Sequence, residues 1–424
     1  MKEKLKITKL ENGARIVTKQ MAGEAFAVAF SVNFGSYNEK PGQEGWCHVL
    51  EHTLFQGCGK FPTQTAISHP IESCGGWLNG YTSGTQTCYY AEVPADHADR
   101  AVEALGEMFT RPLLKASNLR KELEVVCNEI RMYKDDIGSA FSGAAVDALW
   151  PNSPYGKPIE GTEESVRVCT AEALRAFYEA GYRGGDVIIA LAGPRTHEEM
   201  AAMAKPYALR FAGGRKARRP RPADMKAPVP VIAVSDKRAK GVRVQLSFRL
   251  KGRRPAREVF FVLVNLLSGC TGGLEKRVNR RFPGTHYSAS ADPLLGDFSI
   301  DVDLPPEETL TASFRAVCAE LRALKAGRFS GKELEKVKER LANRCIDRAP
   351  ETALGVVYNV VADFAGSGLI EEREETARKR RRVTAEQVTD LAKRLFVTEQ
   401  SSLAVLQPTG DGALAETLRD ALAL

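Results

Sequence analysis

Apolar residues recur along this chain in two rhythms. One alternates with polar positions. Ala27 to Phe34 and Val242 to Phe248 read as strands in this way, and Ile16-Val17 as a shorter strand-like run. The other follows helical spacing. Leu119, Leu123, Val126 and Ile130 predict a helix through Leu119–Tyr133. Trp46, Val49, Leu50, Thr53 and Leu54 form the buried stripe of another, and Gly57 and Gly59 supply stop signals after it. Two further segments mirror each other about half a chain length apart. Thr170 opens a helix followed by the strand Val187–Ala192 and Gly193-Pro194. Thr384 opens a second helix, followed by Leu403–Leu406 and Gln407-Pro408. Both threonines are N-caps, and Gln387 stands at the capping-box position.

These patterns predict an α+β fold of two homologous halves, each a mostly antiparallel sheet covered by helices and joined by a basic, Pro-rich linker. The expected divisions are an N-terminal half over residues 1–212, a linker over 213–230 and a C-terminal half over 231–424. A chain of 424 residues is long enough for each half to bury its own core.

On the face opposite the first buried stripe stands His48-x-x-Glu51-His52. The histidines lie one helical turn apart, so both imidazoles point the same way and can share one metal ion. Glu51 edges that face. A catalytic zinc site takes three protein ligands and keeps a position open for water, and a carboxylate beside that water acts as base. The motif therefore points to a zinc hydrolase with His48 and His52 as ligands and Glu51 as base. The remaining four of the six histidines lie outside any helix-like metal context, which leaves carboxylates as candidates for the third ligand. Glu122 and Glu129 are two turns apart on the predicted helix and face the same way. One binds the metal and the other orients a ligand; periodicity does not assign the roles.

Together these residues resemble the insulinase/pitrilysin family of inverted-motif zinc peptidases, in particular its processing-peptidase-like bacterial members. The family places its glutamate ligand about seventy-seven residues after the second histidine. That implies Glu129 as ligand and Glu122 as its supporting partner in catalysis. Many relatives carry two adjacent glutamates here; this chain has Asn128 before Glu129. Ile71–Ser83, with Gly75-Gly76-Trp77-Leu78-Asn79, is similar to the family's Gly-Gly-x-x-Asn-Ala-x-Thr strand, and Thr87–Ala91 to its hairpin partner. Tyr155–Thr162 is a further similar stretch. The strand is a candidate acceptor of an extended peptide, with Asn79 and Tyr81 lining the groove. In the second half the resemblance implies an Arg and a Tyr, seven residues apart after a Gly-rich turn, that hold substrate and the developing oxyanion. Arg280 and Tyr287, following Gly269–Gly273, have that spacing. Gly273 stands where the family has Arg, and Pro283–His286 replaces its Gly-Leu-Ala run. The resemblance also implies a peptide substrate and two chains enclosing a chamber. A homodimer is expected, with a heterodimer with a chain lacking the zinc motif as the alternative.

Composition narrows the remaining classes. The chain is 43% hydrophobic and 27% charged, ordinary for a globular protein. It has no apolar run of about eighteen residues, so no membrane span is expected. The start, Met1-Lys2-Glu3-Lys4, lacks an apolar secretory core. Nine cysteines without a Cys-x-x-Cys pair read as reduced thiols, which favours the cytoplasm, with a mature organellar protein as the alternative. The +7 charge is concentrated in Arg215–Arg221 and Arg378–Arg382, read as solvated surface; no nucleic-acid fold signature accompanies them. No Gly-x-Gly-x-x-Gly or Walker loop supports a nucleotide enzyme. The sequence thus predicts a zinc endopeptidase acting on unfolded peptides or leader segments. Its rival, a non-catalytic subunit, calls for a lost ligand or base, and none is lost.

Overall fold

The computed structural model describes residues 4–214, 219, 221–268, 274–303, 309–346, 352–410, 412–422 and 424. Six strands, β1 (Lys6–Lys9), β2 (Arg15–Gln20), β3 (Ala25–Val32), β4 (Trp77–Thr82), β5 (Thr87–Pro94) and β6 (Val187–Gly193), form one sheet in the order β1-β2-β6-β3-β5-β4. Only β2 and β6 run parallel in it. Five more, β7 (Val231–Ser235), β8 (Arg243–Arg249), β9 (His286–Asp292), β10 (Asp297–Asp303) and β11 (Ser401–Gln407), form a second sheet in the order β7-β11-β8-β10-β9. There, only β7 and β11 are parallel. Setting β2 against β7, β6 against β11, β3 against β8, β5 against β10 and β4 against β9 makes the two orders the same, with β1 as an added edge strand of the first. The Thr-capped helices Ala171–Gly181 and Ala385–Leu395 precede β6 and β11 in turn. A duplicated half produces such a repeat.

Side-chain size along the strands explains the layers. Phe26, Val28, Phe30 and Val32 of β3 face a helical layer, whereas Ala27 and Ala29 face the other way. In β6, Val187, Ile189 and Leu191 likewise oppose Ile188, Ala190 and Ala192. Both faces are buried, which is why these strands read as nearly continuous apolar runs. The small second face lets a helix lie close. That helix is Ala353–Ser367, whose Val356, Val357, Val360, Val361 and Phe364 pack on it. In the second sheet the helix Ile137–Leu149 plays the same part, with Phe141 and Ala145 against Ala404 and Leu406.

Each half therefore lends a helix to the other's sheet, and the compact units interleave along the chain. The first comprises Met1–Met132, Pro158–Pro220 and Ala349–Glu372; the second comprises Tyr133–Lys157, Arg221–Arg348 and Arg373–Leu424. The contiguous halves 1–212 and 231–424 are a proposal about ancestry; the packing units differ from them by this exchange. An apolar helix carries no local mark of the sheet it will cover.

Among the described residues no helix is long and apolar enough to cross a membrane. No disulfide joins the eight described cysteines.

Candidate metal centre

The motif helix spans Trp46–Leu54, with Trp46, Val49, Leu50, Thr53 and Leu54 all buried. Each of its large apolar side chains contributes roughly 1.5–3 kcal/mol by leaving water. Cys47 is buried with them, away from the metal face. The first N–H groups of any helix need acceptors. Gly45, at the N-cap, has no side chain to offer, and Glu39 takes over that role. Its Oε2 accepts from the Gly45 N–H at 3.0 Å and its Oε1 from the Cys47 N–H at 2.7 Å. Burial pushes the Glu39 carboxyl up to about 8, against the pull of those N–H groups. Gly45 has φ +90°, and a Cβ there would stand 2.3 Å from the Glu160 carbonyl oxygen. Glu39 and Gly45 thus set the pose of the motif helix. Glu39 is invisible to sequence reasoning because it lies six residues before Gly45, outside any capping-box spacing.

The imidazoles of His48 and His52 meet edge to face along the helix with centroids 4.6 Å apart. The helix Ala116–Asp135 brings both glutamates to them. Glu129 Oε2 lies 3.7 Å from His48 Nε2 and 3.6 Å from His52 Nε2. Glu122 Oε2 meets the other side of His52, at Nδ1, 3.2 Å away. One donor atom from each of His48, His52 and Glu129 falls within 4.8 Å of the others. Donors held tetrahedrally about 2.1 Å from an ion stand roughly 3.4 Å apart, so this cluster is of the right size for zinc, and two imidazoles with one carboxylate are ligands that zinc accepts.

Electrostatics support the same roles. Burial, with help from neighbouring His52, holds His48 down to about 4, so its ring is neutral and has a lone pair to give. Burial also pushes His52 down, but its hydrogen bond with Glu122 and the nearby carboxylates outweigh this and raise it. The contact with Glu122 at Nδ1 leaves Nε2 of His52 as the ring nitrogen that faces Glu129. Glu122→Gln is therefore expected to weaken metal affinity about 10–100-fold without abolishing it, as measured by competition with a chelator. Affinity equal to that of the unaltered chain would remove Glu122 from the site.

Glu51 is 8% exposed, and burial raises its carboxyl against the opposing influence of His52 and Thr82. Thr82 Oγ1 donates to Glu51 Oε2 at 3.3 Å. A Cβ on Gly80 would stand 3.0 Å from Glu51 Oε1 and 3.1 Å from the Phe55 ring, so the bare backbone of Gly80 lets β4 pass beside Glu51. Among the described residues β4 ends its sheet, with one of its edges without a partner strand. A cavity of about 330 Å³ opens next to Glu51, His52 and Glu122.

The other candidates are distributed differently. Asn79 lines that cavity, with its Oδ1 accepting from the Gly80 N–H at 2.8 Å. Tyr81 does not share this placement. It is not among the residues that line the cavity; its ring lies 6.3 Å from those of Tyr90 and Tyr358 and its hydroxyl accepts from Gln86. Arg280 and Tyr287 both belong to the second unit. Arg280 is exposed on the helix Leu274–Arg281, and Tyr287, on β9, is 5% exposed within that unit's core. The Gly-rich turn Gly269–Gly273 lies outside the described residues.

Residues 15–163 match the family described as insulinase (peptidase family M16), and residues 169–341 match the peptidase M16 inactive domain. The chain is 30% identical to an uncharacterized zinc protease of Mycobacterium bovis, over 68% of this chain and 67% of that one. It is 32% identical to the mitochondrial-processing peptidase subunit beta of Dictyostelium discoideum, over 47% of this chain and 43% of that one, so the match spans less than half of the Dictyostelium protein. A protease crystal structure from Helicobacter pylori has the same fold, with a TM-score of 0.84 at 19% identity, covering 96% of this chain and all of that one. With these two matches together spanning most of the chain, and a 30%-identical zinc protease relative covered over two thirds of its length, the chain belongs to the M16 insulinase/pitrilysin family.

Proposed function

We propose that the chain is a zinc metalloendopeptidase that cleaves extended peptides, such as unfolded segments or leader sequences. One observation carries this reading: Glu51 stands beside a His48–His52–Glu129 donor cluster, on the side where the free-edged strand β4 passes. His48 Nε2, His52 Nε2 and Glu129 Oε2 would hold the metal. When bound, zinc supplies a Lewis acid that lowers the pKa of water to about 7 and polarises a carbonyl. Glu51 takes a proton from the attacking water and hands it to the leaving amine. The Thr82 hydroxyl orients the Glu51 carboxylate, and Glu122 fixes the tautomer of His52. The edge of β4 binds the peptide backbone as an added strand, which restricts cleavage to chains that can lie extended. The rival reading, a non-catalytic subunit, has no lost ligand or base in its favour.

The direct test is to strip the metal with a chelator, add back zinc, and follow both zinc content and cleavage of a mixed peptide library. About one zinc per chain is expected, with activity lost and restored in step. A chain that cuts peptides equally well without metal would refute the reading. Native mass in the same experiment decides assembly. A homodimer is our proposal; pairing with an unlike chain is the alternative, since the Dictyostelium relative is named as a subunit. A reducing cytoplasm is the proposed compartment, in keeping with the unpaired described thiols.

Arg280 and Tyr287 are proposed to bind the reacting carbonyl. Loss of one oxyanion donor typically lowers kcat about 10²–10³-fold. Tyr287→Phe removes only a hydroxyl from a buried ring, so folding and zinc content should stay near normal while turnover falls. Activity within a few-fold of the unaltered chain for both Arg280→Ala and Tyr287→Phe would rule out the assignment.

A further inference from the structure

The cavity beside Glu51 and His52 contains chemistry that peptide-bond hydrolysis does not use. At about 330 Å³ it has room for one long side chain. Phe55, Ile67 and Leu78 make an apolar wall on part of it, and Gln56, Gln64, Ser68 and Asn79 add neutral polar groups. No Lys or Arg lines it. Its titratable lining residues are Glu51, His52, Glu122 and Glu72. The first three serve the metal centre. Glu72 is left over, exposed at the end of the helix Gln64–Glu72, with its Oε2 accepting from the Ser68 hydroxyl at 3.1 Å.

An apolar wall with a single spare carboxylate and no competing cation suits a side chain with a hydrocarbon stem and a cationic tip. The wall also includes Leu78 and Asn79 of β4, the strand proposed to carry the substrate backbone past Glu51. A peptide lying there directs a side chain next to its scissile bond into this cavity. The geometry points to Glu72 as a specificity-determining residue, selecting Lys or Arg at one of the two positions that flank the cleaved bond. This inference rests on the peptidase reading above. An acidic side chain in the same place meets Glu72, Glu51 and Glu122 together and is repelled.

The test digests a mixed peptide library with the zinc-loaded full chain and sequences the product ends. Lys and Arg should be enriched at one flanking position. For two peptides differing only in Arg or Met there, kcat/KM should favour Arg about tenfold, as expected for a charge pair partly shielded from water. Glu72→Gln should bring that ratio near one, and Glu72→Lys should turn the preference toward Asp and Glu. The Glu51→Gln chain, used as a binding-only form, should hold the Arg peptide more tightly than the Met peptide by the same factor. Enrichment of apolar or acidic residues at both flanking positions, or an Arg preference that survives Glu72→Lys, overturns the assignment. If nothing is cut but the Glu51→Gln chain still prefers the Arg peptide, the peptidase reading fails and the role of the cavity stands. If neither cleavage nor preference is seen, both fall.

Discussion

Glu51→Gln is expected to abolish peptide cleavage while leaving about one zinc per chain. The amide has the size and shape of the carboxylate, so the buried space it occupies and the contact with Thr82 survive. It cannot take a proton at neutral pH. General base catalysis alone is worth about 10²–10⁴-fold, and here the same group also returns the proton to the leaving amine, so the loss should lie at or beyond the upper end. The donor atoms of the cluster come from His48, His52 and Glu129, none of which is altered. Turnover of a fluorogenic peptide and metal analysis on the same sample give the answer. Near-normal turnover would show that another group is the base; loss of zinc together with activity would show that Glu51 belongs to the ligand set.

Glu129→Gln and His48→Ala should behave in the opposite way, losing the metal and, as a consequence, the activity. Removing His48 leaves two donors, and amidation of Glu129 replaces an anionic oxygen placed between both Nε2 atoms by a neutral one. The drop in affinity should exceed the about 10–100-fold expected for an outer partner such as Glu122. Thermal melting offers a readout independent of catalysis. A ligand at a thousand times its Kd that binds only the folded state stabilises it by about 4 kcal/mol, so excess zinc should raise the Tm of the unaltered chain and barely move that of either variant. Equal zinc-induced shifts in all three chains would show that the ligands are misassigned.

Local features of this protein were legible in its sequence because they depend on residues close together in the chain. The helical turn between His48 and His52 is a matter of 3.6-residue periodicity, as is the shared face of Glu122 and Glu129. The threonine caps at Thr170 and Thr384 work through the next three residues, and both accept the N–H expected of them. The strands also declared themselves by their apolar runs, and the near-repeat of helix and strand at Thr170 and Thr384 exposed the doubled architecture.

Other features depend on residues that are distant in sequence, and only the tertiary structure decides them. Periodicity left Glu122 and Glu129 equivalent, whereas the packing of their helix against the motif helix sets Glu129 against both Nε2 atoms and Glu122 against Nδ1 of His52. Tyr81 could be placed on a strand from sequence, but the face it presents depends on the register that puts Thr82 beside Glu51. The bonds from Gly45 and Cys47 to Glu39 span a loop whose path no spacing rule describes. The helix Ala353–Ser367 reads as apolar wherever it packs, yet it covers Ala27, Ala29 and Ala190 more than 150 residues earlier in the chain. Sequence alone therefore determined which side chains are the candidates for the chemistry and on which kinds of element they ride. The tertiary structure decided which atoms of those side chains meet, because that depends on how separate elements pack, and burial, which drives packing, has no direction of its own.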